Sequence, residues 1–250
     1  MEKLRLIARL DVKNEFLIKG VHMEGLRKIG DPIERARKYY EDGADEILFM
    51  DAVASLYDRN NLFHIIEKAC EHVFVPITIG GGLRTIEDIS KALHSGADKI
   101  ALNTAAVKNP AFITEASRIF GSQCIIGSIE AKKKDNSWEA YVDSGREETG
   151  LDAIAWAREL ERLGCGEIMV TSVDRDGTKL GFDLDLITRI NENIRVPLIA
   201  SGGAGSVKHF IDVASRTPVG ALATATLLHY NLTTVQEIKN EFNTNGIKVR

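Results

Sequence analysis

Two stretches of the chain run from apolar residues into an acid in the same way: ARLDVK at residues 8–13, around Asp11, and GSIEAK at residues 127–132, around Glu130. Two carboxylates suffice for general acid and base work, which typically contributes ~10²–10⁴-fold to a rate when their surroundings push the two proton affinities apart. Gly80-Gly81-Gly82 and Gly202-Gly203 suggest a second chemistry, because each ends an apolar run and precedes a helical pattern. Glycine lets backbone N–H groups approach an anion, and a helix N-terminus adds a favourable dipole. Asn103-Thr104 and Thr224-Ala225-Thr226 end neighbouring runs with small polar residues suited to the same anions. Two matched cradles predict two phosphate sites facing each other, and a substrate phosphorylated at both ends. Asp51, Thr171 with Ser172, and the loop Asp174-Arg175-Asp176-Gly177-Thr178 add polar groups at other run ends. Plainer readings stand beside these: the glycines and Asp176-Gly177 as tight turns, and the two acids as strand-end charges paired with Lys13, Lys19 or Lys132.

Metal chemistry has little support. The histidines at 22, 64, 72, 94, 209 and 229 form no H-E-x-x-H or similar cluster, and are expected at the surface or in packing. Cys70, Cys124 and Cys165 form no C-x-x-C pair and leave an odd number, against a disulfide framework. No metal and no cofactor is expected.

The elements that must position these groups alternate. β-branched runs at 5–11, 46–51, 76–80, 98–103, 123–130, 167–173, 197–201 and 219–224 read as eight strands. Helical patterns fall between them at 32–43, 61–72, 85–95, 110–119, 152–163, 183–192, 206–215 and 233–242, with Pro32 and Pro110 as first-turn prolines. Eight strand–helix units predict an α/β fold, a (β/α)8 TIM barrel with its chemistry at the C-terminal face. PITIGGGLRTIED (76–88) matches PLIASGGAGSVKH (197–209) at an offset of 121 residues, and EILFMD (46–51) matches EIMVTS (167–172) at the same offset. The expectation is one domain over 1–250 with a two-fold half-barrel repeat, about 1–122 and 123–250, since separate halves would leave strand edges unpaired. Residues 132–150 break the alternation and predict a β-hairpin inserted after strand five.

Arg5, Glu46, Lys99 and Glu167 stand at or near the starts of four strands. Turned inward they would form a ring at the barrel floor, two positive and two negative charges satisfying each other. On charge balance alone that is a salt-bridged plug capping the core. A net charge of −4 gives no global attraction to nucleic acid, and no stretch approaches the length of apolar residues that a membrane span needs. The N-terminus, charged within its first five residues, does not read as a leader. A cytoplasmic protein handling a small phosphorylated molecule is expected, with no nucleic acid and no membrane as partner.

With these residues assembled, the chain resembles the cyclase subunits of imidazole glycerol phosphate synthase over essentially its whole length. ARLDVK, IKGVHMEGLRKIGDP, GADEILFMD, ITIGGGLRTIED, GADKIALNTAAVKNP, FGSQ, GEIMVTSVDRDGTKLGFD and IASGGAG follow that family's motifs in order. The resemblance implies a lyase of histidine biosynthesis that uses ammonia and a bisphosphate ribulosyl-aminoimidazole carboxamide, forming imidazole glycerol phosphate and releasing an aminoimidazole carboxamide ribotide. It implies a glutamine amidotransferase subunit at the N-terminal barrel face, with Asp98 at that interface. It makes Arg5, Glu46, Lys99 and Glu167 an ammonia gate rather than a plug. Asp11 and Glu130 become the acid–base pair, and Lys19 lies near the substrate. Gly82, Asn103 and Thr104 serve one phosphate; Asp176, Gly177, Gly203, Ala225 and Thr226 serve the other, beside Gly202. Thr171 and Ser201 line the mouth. The sister isomerase of histidine synthesis shares the half-barrel repeat and paired acids, but NTAA, FGSQ and the floor charges favour the cyclase.

Three departures fall close to the chemistry. The family has aspartate where this chain has Glu130, cysteine where it has Arg9, and a glycine-containing turn before a mobile loop where it has Asn14-Glu15-Phe16. These positions resemble a paralogue that delivers ammonia for amidination of a surface sugar. A non-catalytic subunit that activates the glutaminase is the other alternative.

Overall fold

In the computed structural model, which describes residues 3–52 and 62–250, RLIARLDVK forms strand β1 (Arg5–Lys13) and is buried along all but its last residue. Leu6, Ala8, Leu10 and Val12 face the surrounding helices, whereas Ile7 belongs to a separate apolar cluster inside the barrel. Its odd-numbered neighbours Arg5, Arg9 and Asp11 share that inward face, because side chains alternate along a strand. A polar residue that looks misplaced in a fully buried strand is thereby aimed at the barrel axis.

The chain continues through β2 (Phe16–Val21), β3 (Glu24–Gly30), α1 (Pro32–Glu41), β4 (Glu46–Asp51), α2 (Leu62–Cys70), β5 (Ile77–Gly80), α3 (Ile86–His94), β6 (Lys99–Leu102), α4 (Thr104–Lys108) and α5 (Ala111–Phe120). Next come β7 (Ile125–Lys134), β8 (Ser137–Val142), β9 (Glu147–Asp152), α6 (Ala153–Leu163), β10 (Glu167–Ser172), α7 (Leu184–Asn191), β11 (Leu198–Ser201), α8 (Val207–Arg216), β12 (Ala221–Thr224), α9 (Thr226–His229) and α10 (Val235–Thr244). Strands β1, β4, β5, β6, β7, β10, β11 and β12 pair in parallel, and the β12–β1 pairing closes the ring. The chain is a (β/α)8 barrel. Each of the eight expected strands and eight expected helices has its counterpart; Asn61, where one helix was expected to start, and Met1 and Glu2 lie outside the described residues.

Local chemistry explains the helix starts. The Asp31 carboxylate accepts the N–H groups of Ile33 and Glu34 at 2.8 and 2.9 Å, with Pro32 in the first turn of α1. Thr85 with Asp88 and Thr234 with Glu237 form capping boxes at α3 and α10. Pro110 stands one residue before α5 rather than in its first turn.

Two stretches differ from expectation in the same way. The hairpin after strand five runs further, so that β7, β8 and β9 form an antiparallel meander reaching Asp152. Residues 14–30, for which no strand was expected, hold β2 and β3, and with β1 these form the matching antiparallel meander. The insertion is therefore itself duplicated. Asn14 adopts φ +55 at the β1–β2 turn, and Asp135 φ +51 at the β7–β8 turn. Asn and Asp tolerate this left-handed conformation better than other non-glycine residues, so the turn forms without the glycine that the resemblance expects.

Candidate active site

The meanders lie over the C-terminal mouth, each tip held by the opposite half. In the first, His22 Nδ1 meets the Val173 carbonyl at 3.0 Å and the His22 N–H donates to the Asp176 carbonyl at 2.9 Å. In the second, Ser144 Oγ donates to the Ala52 carbonyl at 2.8 Å. Val173 and Ala52 follow the ends of β10 and β4, the second barrel strands of their halves. His22 thus anchors a flap, a role that no histidine motif could reveal.

Asp11 and Glu130 lie on β1 and β7, on opposite sides of the ring; both strands run past the acid into their meanders rather than ending on it as expected, and both acids line one cavity of about 240 Å3. Lys19, Asp51, Gly82, Asn103, Thr104 and Asp176 share its wall, as does Arg9. Asp11 and Glu130 are 8% and 7% exposed, so the surroundings of each carboxylate govern its proton affinity.

Those surroundings differ. Arg9 Nε donates to Asp11 Oδ1 at 2.8 Å, and Lys19 Nζ stands 3.6 Å from Oδ2. Burial alone would raise the Asp11 pKa; the Arg9 and Lys19 charges outweigh it and hold the carboxyl below its ordinary value. Glu130 Oε2 accepts the Gly145 N–H at 2.8 Å. Burial pushes this acid up to about 7, against the opposing pull of that N–H and of Arg9.

The resemblance places a second phosphate site around Asp176, Gly177, Gly203, Ala225 and Thr226, and the structure divides this group. Lys19 Nζ donates to Asp176 Oδ1 and Oδ2 at 3.0 and 2.9 Å. Gly177 and Thr226 line a more open cavity of about 510 Å3 together with Lys19, Arg27 and Lys179. Gly203 pairs instead with the neighbouring loop, its carbonyl accepting the Gly181 N–H at 2.8 Å. Ala225 is buried directly before α9. Gly81 and Gly202 occupy equivalent places: a Cβ on Gly81 would strike the Asp51 carbonyl, and one on Gly202 would come within 2.8 Å of the Ser172 carbonyl. Close packing requires these glycines, as the tight-turn reading expects.

Three further residues already have internal partners. Asn103 Nδ2 donates to the Tyr141 carbonyl at 3.1 Å, and Thr104 Oγ1 accepts the Asp143 N–H at 3.2 Å, tying the first cradle to the second flap. Asp98 is exposed, and its Oδ2 accepts the Ile77 N–H at 2.8 Å.

Thr171 and Ser201 face the barrel interior. Arg9 Nη1 donates to Thr171 Oγ1 at 2.9 Å and to Ser201 Oγ at 3.1 Å, so a side chain from β1 spans to β10 and β11. Arg9 was noted only as a departure from a family pattern, although a charge at an inward position of a buried strand could have flagged it.

Below these groups lies an apolar layer that includes Ile7, Leu48, Ile126, Met169 and Ile199. At the opposite end Arg5 bonds Glu46 at 2.6 Å and Glu167 at 2.5 Å, while Lys99 bonds Glu46 at 3.2 Å and Glu167 at 2.6 Å. The ring is closed, and each carboxylate meets both cations.

Among the described residues no cluster of His, Cys, Asp and Glu could hold a metal ion, and no helix is long and apolar enough to cross a membrane. The family model described as histidine biosynthesis protein matches residues 5–234. Relatives named imidazole glycerol phosphate synthase subunit HisF include the Legionella pneumophila protein, 54% identical over 211 residues, or 84% of this chain and 100% of that one. The Streptococcus mutans protein is 42% identical across 100% of both chains. The Myxococcus xanthus protein is 45% identical over 246 residues, 98% of this chain and 97% of the relative. A match along nearly the whole barrel, with a closed parallel ring beneath it, shows that the chain belongs to the histidine biosynthesis protein family.

Proposed function

We propose that the chain is the ammonia-using cyclase subunit of an imidazole glycerol phosphate synthase. It converts a bisphosphate ribulosyl-aminoimidazole carboxamide to imidazole glycerol phosphate and an aminoimidazole carboxamide ribotide. The observation that carries this reading is the arrangement along one barrel axis: paired acids at the mouth, an apolar layer beneath them, and a closed ring of four charges at the floor.

In this reading Asp11 and Glu130 move protons at the reacting centre of the substrate. Gly82, Asn103 and Thr104 take one phosphate, with Asp51 beside them; Gly177 and Thr226, with Gly202, Gly203 and Ala225 behind them, take the other. A phosphate entering the first cradle competes with the second flap for Thr104, coupling substrate binding to flap position. Lys19 offsets the Asp176 carboxylate, which would otherwise repel a phosphate next to Gly177. A glutamine amidotransferase subunit docks at the N-terminal face near Asp98 and passes ammonia through the gate of Arg5, Glu46, Lys99 and Glu167. The setting is the cytoplasm.

The surface-sugar alternative is not favoured, since the relatives that match most of the chain carry the synthase name. The test is an assay with ammonium salt and the bisphosphate substrate, following both products by chromatography. Equal yields of imidazole glycerol phosphate and ribotide are expected; no turnover at any enzyme concentration would overturn the reading.

A further inference from the structure

The two-fold repeat supplies an internal comparison. Asp11 on β1 and Glu130 on β7 hold matching places, yet their neighbours do not match. Two residues before Asp11 stands Arg9; two residues before Glu130 stands Ser128. β2 pairs Ile18 with Asp11 and β8 pairs Tyr141 with Glu130, so the next residue along is Lys19 in one half and Val142 in the other. Both cations beside the first acid are thus neutral side chains beside the second. We infer that Arg9 is a positioning residue that makes the two acids unequal, holding Asp11 as the proton acceptor and leaving Glu130 as the proton donor. This rests on the acid–base reading above.

The geometry is specific to the guanidinium. Arg9 is 5% exposed and commits Nε to Asp11 Oδ1 and Nη1 to Thr171 and Ser201. A planar fork held at three points cannot drift from the carboxylate, and its charge is permanent. Asp11 Oδ1 is thereby occupied, and Oδ2, with Lys19 at 3.6 Å, is the oxygen left to take a proton. On the other acid Oε2 accepts the Gly145 N–H, so the proton of neutral Glu130 belongs on Oε1. One proton arrives on Asp11 and one leaves Glu130 per cycle, and exchange with solvent restores both. The charges around Asp11 are Arg9 from its own strand, Lys19 from β2, Asp176 behind Lys19, and His229 from α9. Around Glu130 they are Arg9, Asp11 and Asp143 of the second flap.

The experiment is a titration of carboxyl 13C signals in protein labelled at aspartate and glutamate side chains, for wild type, Arg9→Met and Arg9→Lys. In wild type the Asp11 midpoint lies below the Glu130 midpoint; the reverse order overturns the inference without any variant being needed. In Arg9→Met the Asp11 midpoint rises by ~1–3 pH units, and Arg9→Lys restores part of the drop. An unmoved midpoint in a folded Arg9→Met protein also overturns it. The acid limb of kcat should move with the midpoint, whereas a packing role alone would lower kcat or stability and leave the limb in place. Failure of wild type to turn over the bisphosphate substrate would sink the cyclase reading, while the titration, which needs no substrate, still decides the role of Arg9.

Discussion

Glu130 Oε2 accepts the backbone N–H of Gly145 at 2.8 Å, so the acid in the middle of β7 is tied to the tip of its own flap. Both residues belong to one meander, and the bond closes the path from the barrel wall to the turn and back. The methylene that distinguishes glutamate from aspartate lengthens the reach to that N–H. The barrel wall and the flap are thereby joined through a single carboxyl group.

Glu130→Asp should break this link and withdraw the carboxyl by about an ångström, costing ~10²-fold in kcat with a smaller change in KM. Glu130→Gln keeps the acceptor oxygen but removes the proton, and its kcat should fall by ~10²–10⁴-fold. The folded-state pKa near 7 lies above the unfolded value, so the folded protein holds the extra proton and stability falls as pH rises from about 4.5 to about 7. Urea midpoints should therefore show Glu130→Gln gaining about 3 kcal/mol on wild type across that window.

Lys19→Met leaves the buried Asp176 carboxylate without the cation that bonds both of its oxygens. Breaking a buried pair from one side costs about 3–5 kcal/mol, and KM for the bisphosphate substrate should rise. Adding Asp176→Asn should recover most of the stability and little of the KM. The double-mutant cycle, measured by urea denaturation and steady-state kinetics, separates the two effects.

At the floor, Arg5→Ala removes the partner of two buried carboxylates and leaves Lys99 to face both Glu46 and Glu167. A loss of about 3–5 kcal/mol is expected. Arg5→Met combined with Glu46→Gln leaves the Lys99–Glu167 pair balanced and should be clearly more stable than Arg5→Ala, as read by thermal denaturation.

Gly203 has φ +107, and an added Cβ would strike the carbonyl of Gly181. Gly203→Ala should cost about 1–3 kcal/mol from backbone strain and should push the 181 loop away from the strand ends. Inorganic phosphate, measured as a competitive inhibitor, should bind this variant more weakly, while Gly246→Ala, at an open position far along the chain, should leave inhibition unchanged.

His229 is 4% exposed and hydrogen-bonded to Tyr39 Oη at 2.7 Å, and burial holds its pKa down at about 4. The unfolded chain takes up this proton near pH 6.5, so stability is lost as pH falls from about 6.5 toward 4. Replacement by glutamine should flatten this part of the profile, worth roughly 3 kcal/mol at its full extent, when wild type and variant are compared by urea midpoints from pH 7 to pH 4.

Much of the fold was legible because its signals are local. A strand buried on both faces reads as a β-branched run, and the start of α1 reads from Pro32 in its first turn. Stretches matching at offsets near 121 residues, such as PITIGGGLRTIED and PLIASGGAGSVKH, fall on corresponding strand ends, β5 and β11. The β2–β3 meander was missed: its turn is His22-Met23, at φ +52 and +61, which carries none of the glycine or asparagine that marks such turns. Docking against the carbonyls of Val173 and Asp176 offsets that local cost, and no window of sequence around residue 22 contains those partners.

The sequence by itself determined the residue types at the strand ends: which strands carry acids, which loops carry glycines, and which strand starts carry charges. Only the tertiary structure decided which of those side chains meet. Arg9 reaches Thr171 and Ser201, 162 and 192 residues away in the chain, because closing eight strands into a ring brings β1 within side-chain reach of β10 and β11. Closure and strand register are properties of the whole sheet, and they make one of two repeat-related acids a partner of arginine and lysine and the other a partner of a backbone amide.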